Sequence, residues 1–148
     1  MESDNKALVA SFYEQVWNQG HTEVAHEFFH DEYVRHDLRP TTAPSGGAGQ
    51  AKIAADFRAA FPDLRFGVDL IVAEGDVVAA RWSASGTHTG VWGNVEPSHR
   101  SVRFSGVNFF RIAEGRIVEI WNHRDDLGLL QQTGAQIYAG AAPDTDDE

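Results

Sequence analysis

Two periodicities divide the chain. As far as Phe61 the apolar positions recur every three to four residues, and from Leu64 onward they alternate. Leu8, Phe12 and Val16, with Val9 and Tyr13 beside them, form the stripe of an amphipathic helix over Asp4–Trp17, with Ser3 or Asp4 as N-cap and Gly20 just past its end. A second helix is predicted from near Thr22 through Phe28 and Phe29. A third, over about Gln50–Ala60, turns Ile53, Phe57 and Phe61 inward and stops at Pro62. Between them Pro40, Pro44 and Gly46-Gly47 predict a mobile loop over Leu38–Gly49.

In the second half Leu64, Phe66, Val68, Leu70 and Val72 alternate with Arg65, Gly67, Asp69 and Ile71, the pattern of a strand with one apolar face. Glu74-Gly75 and Glu114-Gly115 each read as a two-residue hairpin turn. Helices followed by two long hairpins predict an α+β fold, with the N-terminal helices packed on one face of a curved antiparallel sheet. Counting outward from the turns pairs Val68 with Arg81, Asn108 with Trp121 and Phe104 with Asp125. The inner face then holds Leu70, Val72, Arg81, Asn108, Glu119, Trp121, His123 and Asp125, and a one-residue slip reverses every such facing. On this register Arg81 stands among apolar neighbours and needs Glu119, Asp125 or an anionic ligand as partner. Trp82, Ile71, Val78 and Ala80 fall outside, apolar enough to predict a homodimer through the outer sheet face.

Composition narrows the function classes. A chain of 148 residues, 42% hydrophobic and 11% aromatic, is long enough for one globular domain with a ligand cavity. Its net charge of −10 argues against nucleic acid or an anionic membrane as main partner. No run is apolar enough to span a bilayer, and MESDNKALV lacks the basic-then-apolar order of a signal peptide, so a cytoplasmic domain is expected. Residues 1–140 are expected to form that domain and residues 141–148 an acidic, disordered tail. Without cysteine there is no thiolate ligand or nucleophile. Among seven histidines only His26 and His30 share a helical i, i+4 spacing, and no metal site is predicted.

The closing segment GRIVEIWNHRDDLGLLQQTG resembles the last strand and helix of the SnoaL-like polyketide cyclase family, and FPDLRFGVDLIVAEGDVVAARW with GTHTG resembles its first hairpin. The resemblance covers roughly residues 5–135 in order. It implies a cone-shaped α+β barrel of the nuclear-transport-factor type that encloses a pocket. It also implies a hydrophobic, carbonyl-rich substrate and no metal or organic cofactor. In the family's aromatic polyketide cyclases an aspartate on the last strand is the general acid/base of an intramolecular aldol closure. The match, four residues after Trp121, is Asp125. Asn108, His123, Trp121 and Arg81 are candidate donors to the enolate.

His36 and His88 are further candidates beside the pocket, with a tether of the loop Thr89–Arg100 as the other reading of His88 and a structural histidine that of His36. Trp92 is a candidate lid. Asp125 also suits the N-cap of the helix starting near Leu127, a place that Asp126 would fill equally well, leaving Asp125 to the pocket. The family includes cofactor-independent hydroxylases, and Asp125 would serve that chemistry too, because both begin by removing a proton. Ser83 stands where the limonene-type epoxide hydrolases carry a second aspartate, so epoxide hydrolysis is not expected. The rival is a non-catalytic binding domain of the same fold, which an exposed Asp125 together with no closed pocket would favour.

Overall fold

The computed structural model describes residues 1–36 and 46–135. Helix α1 (Glu2–Phe12) runs directly into a π-helical turn (Tyr13–Asn18), and a 3-10 segment (Thr22–Glu27) follows. Then come β1 (Phe29–His36), α2 (Gly46–Ala60), β2 (Arg65–Glu74), β3 (Val77–Thr87), β4 (Ser101–Ala113), β5 (Arg116–Arg124) and α3 (Asp126–Gln132). The strands form one curved, open sheet in the order β1-β5-β4-β3-β2. The helices cover one face, burying Val9, Phe12, Val16, Phe57 and Phe61 against Phe104, Phe110, Ile117 and Ile120. Phe12 meets the rings of Phe28, Phe29 and Phe110 at centroid distances of 5.9, 5.0 and 6.3 Å. Among the described residues no helix is long and apolar enough to cross a membrane.

The sheet is mixed rather than antiparallel throughout, because β1 lies parallel to β5. β1 occupies sequence expected to continue the second helix. Phe29 and Tyr33 are its buried positions, spaced like a helical stripe, and a register shift between Phe29 and Val34 erases the period of two. Helix α2 starts earlier than expected, within the glycines. A side chain at Gly47 would bring its Cβ to 2.2 Å from the His26 backbone, so glycine is what lets α2 approach the 3-10 segment. The rest of the expected loop, residues 38–45, and the acidic tail lie outside the described residues.

The β4–β5 turn is Glu114-Gly115 as expected, both at positive φ (53° and 75°) with Ala113 opposite Arg116. Two β-bulges then overturn the inferred register. In β5 Ile117 faces Ile112 but Glu119 faces Arg111, so Val118 is inserted and Asn108 meets Asn122, not Trp121. In β2 Val68 faces Trp82 and Leu70 faces Arg81, so Asp69 is inserted, and the turn falls on Gly75-Asp76, one residue later than expected. Beyond each bulge every facing is reversed. Trp82, Val78 and Ala80 are buried and Ile71 packs on the core. Arg81, Glu119 and Trp121 stand on the outer face with Leu70 and Val72, which are 61% and 52% exposed.

Candidate functional site

Between the inner sheet face and the helices lies a cavity of about 500 Å³, within the range of small-molecule sites. Seven aromatic side chains stand in its wall, alongside polar and charged ones. The π-helical turn widens the end of α1 and brings both Tyr13 and Trp17 to the wall. Tyr13, Phe66 and Trp82 stack in series, with centroids 5.1 and 4.7 Å apart and planes within 25°. Trp82 can lie flat there because its cross-strand neighbour is Gly106, where a Cβ would stand 2.5 Å from the indole. Trp92 and Gly93 border the cavity from the loop after β3, Trp92 packing on Phe57 at 6.1 Å.

One polar network is set into this wall. The Trp82 indole N–H donates to Asn108 Oδ1 at 2.6 Å, and the Tyr13 hydroxyl donates to the same oxygen at 2.8 Å. An indole N–H can only donate, so the amide orientation is fixed: Asn108 Nδ2 donates to Asn122 Oδ1. Burial raises the Tyr13 pKa well above the usual phenol value, so the hydroxyl remains a neutral donor. Asn108 therefore lies on the cavity wall as expected, with its oxygen committed to two protein donors.

The ionic part of the wall comes from the β5–α3 junction. Arg124 Nε donates to Asp126 Oδ1 at 2.5 Å and Nη2 to Oδ2 at 3.5 Å, while the guanidinium lies 4.6 Å over the Phe57 ring. Arg124 and Asp126 both border the cavity. Asp125, between them, turns outward. It is exposed and N-caps α3, Oδ1 accepting from the Gly128 N–H at 2.9 Å. The cap that the sequence offered to either aspartate is thus taken by Asp125, and of the two it is Asp126 that reaches the cavity, where the other carboxylate, Asp56, is exposed and paired with Lys52.

Apart from His123, the other expected site residues do not converge on the cavity. Arg81 is half exposed on the outer face and pairs with Asp69, the residue inserted by the β2 bulge, rather than with Glu119 or Asp125. Trp121 stacks on His36 at 5.0 Å, also on the outer face. His36 Nε2 lies 2.7 Å from Glu119 Oε2, whose other oxygen accepts from Arg111 Nε at 3.1 Å. His123 is an exposed residue at the cavity rim. His88 is fully buried behind Phe61, off the cavity wall, and its Nδ1 accepts from the Ser98 N–H at 3.1 Å. It is the tether of the loop that carries Trp92, and burial lowers its pKa. Sequence reasoning missed Trp17, Gln50, Asn122 and Arg124 as wall residues. The alternation Asn122, Arg124, Asp126 would have pointed to three of the polar wall residues once the bulge at Val118 was known.

The hydrogen bond with His36, then that with Arg111, holds the Glu119 pKa below the usual 4.5. A carboxyl depressed in the folded state contributes stability above its unfolded pKa and loses it as pH falls through the folded value. Urea midpoints of wild type and Glu119→Gln are therefore expected to differ most near neutrality and to converge as acid takes the pH below the ordinary carboxylate range. A difference unchanged by acid would show that ionisation of Glu119 adds nothing.

The family model for SnoaL-like polyketide cyclases matches residues 7–133. The chain belongs to that family. AclR from Streptomyces galilaeus, proposed to be a hydroxylase, is 26% identical with a TM-score of 0.80, over 95% of this chain and 91% of its own. IdmH from Streptomyces antibioticus, proposed to be a polyketide cyclase, is 31% identical with a TM-score of 0.74, over 88% and 99%. TsrD from Streptomyces laurentii is 25% identical with a TM-score of 0.80, over 90% and 97%. No curated protein matches. The family and the open mixed sheet agree with the expected α+β architecture. The condition that would favour a non-catalytic member is met only by half: Asp125 is exposed, but a cavity is present.

Proposed function

We propose that this family member closes a ring by an intramolecular aldol reaction on an aromatic polyketide intermediate held in the cavity, without a cofactor. The observation that carries the reading is a half-buried carboxylate, Asp126, on the cavity wall beside Arg124 and the stacked rings, the wall's other carboxylate, Asp56, being exposed and paired with Lys52. Asp126 takes a proton from a carbon flanked by carbonyls. The enolate carbon attacks a second carbonyl of the same molecule, one C–C bond forms, and the new alkoxide receives a proton. Arg124 supplies positive charge beside the developing enolate, and the stacked rings of Tyr13, Phe66 and Trp82 match a flat substrate. The assignment to Asp126 replaces the one to Asp125 that the sequence favours.

The likeness to AclR supports a second reading, in which the same carbanion reacts with oxygen. Turnover of a panel of polyketide methyl esters, with and without oxygen, separates them. Ring closure without oxygen is the expected result, product only with oxygen gives the hydroxylase, and no turnover with tight binding gives the non-catalytic domain.

We also infer a homodimer through the outer sheet face, by residues other than those the sequence indicated. Val72, Ala79, Phe109 and Trp121 form one cross-strand row, with Phe109 43% exposed and Leu70 beside it. Phe109→Glu is expected to halve the mass measured by light scattering; a wild-type monomer, or a variant that stays dimeric, would contradict it.

A further inference from the structure

A second depression opens on the outer sheet face, at the end of β2–β4 away from the Gly75-Asp76 turn. The register sets Arg65, Ser85 and Arg103 in one row across the three strands, and Gly67, Ser83 and Ser105 in the next. All six border the depression, with Arg81 and Asp125. Its floor is hydroxyl-lined and open, since a Cβ added at Gly67 would meet no atom within 4 Å.

The charges around it are unbalanced. Arg81 is held by Asp69, and Asp125 Oδ1 by the Gly128 N–H. Arg65 and Arg103 are exposed, and among the described residues neither guanidinium has a hydrogen-bonded carboxylate. Asp63 is near enough to Arg65 to interact through space, but its two oxygens accept from the Thr87 N–H at 2.7 Å and hydroxyl at 2.8 Å. On a chain of net charge −10, two such guanidiniums over serine hydroxyls form a local positive site. Two strand spacings put their backbones about 10 Å apart. Side chains of this length, leaning inward from both sides, can close on one oxyanion seated over Ser85.

We propose that this groove binds a tetrahedral oxyanion of the phosphate type, separately from the cavity. Arg65 and Arg103 clamp the anion from opposite sides, and the Ser85 and Ser105 hydroxyls donate to it. The aspartate on the rim limits the site to a single anionic group.

Backbone amide NMR during titration with inorganic phosphate, against sodium chloride at equal ionic strength, tests this. Saturable shifts at Ser83, Ser85 and Ser105 are expected with phosphate and not with chloride. The double variant Arg65→Gln/Arg103→Gln should weaken them at least tenfold, and Lys52→Gln, which removes one positive charge elsewhere, should leave them unchanged. Identical responses to phosphate and chloride, full binding in the double variant, or comparable weakening by Lys52→Gln would overturn the proposal.

Discussion

Asp126→Asn is expected to lower turnover by about 10²–10⁴-fold, the usual contribution of a positioned general base, with substrate affinity nearly unchanged. The amide keeps the shape of the side chain but removes its capacity to accept a proton, together with the charge and one of the two oxygens to which Arg124 donates. Asp125→Ala is expected to do the opposite. Loss of its bond from the Gly128 N–H at the start of α3 should cost about 1 kcal/mol of stability with kcat little changed. Paired steady-state kinetics and urea unfolding of the two variants check this. If Asp125→Ala abolished turnover while Asp126→Asn retained it, the roles would have to be exchanged and the proton transfer placed outside the aromatic cavity.

The second large effect concerns stability. Asn108→Ala is expected to destabilise the fold by roughly 2–6 kcal/mol in urea unfolding, because it leaves the Tyr13 hydroxyl and the Trp82 indole N–H buried without their acceptor, at about 1–3 kcal/mol for each orphaned group. Tyr13→Phe removes a donor and leaves the Asn108 oxygen with Trp82, so a loss of only about 0.5–1.5 kcal/mol is expected. The two changes should be strongly non-additive. In the Asn108→Ala background Tyr13→Phe removes an orphan and should cost almost nothing, or restore stability. Additive losses would mean that Tyr13 finds another partner and that the network does not hold the wall.

Most elements could be read from local pattern, because local pattern is what makes them. The stripe Leu8, Phe12, Val16 gave α1, the run ending at Pro62 gave α2, and Glu114-Gly115 gave a turn whose positive φ values the structure bears out. The facing of side chains was not legible, since it depends on single inserted residues. Asp69 and Val118 leave no mark in composition, yet each slips a strand by one and moves Arg81, Glu119 and Trp121 to the outer face and Trp82 to the inner. Strand β1 was hidden for a related reason, its buried Phe29 and Tyr33 lying four apart across an irregular register. At the site, Asn108 was found because β4 has no bulge before it. Asp126 was seen only as a helix cap, because two adjacent aspartates at a strand end cannot be told apart until the strand's phase is known.

Proton removal from carbon is the step shared by ring closure and oxygen-dependent hydroxylation, and exchange in heavy water reads it alone. A polyketide methyl ester whose activated C–H exchanges slowly by itself would be followed by proton NMR, with wild type, Asp126→Asn and Asp125→Asn side by side. Expected is protein-accelerated exchange that survives in Asp125→Asn and is lost in Asp126→Asn. Exchange at the protein-free rate with bound ester, or exchange undiminished in Asp126→Asn, would contradict the assignment of Asp126 as the base.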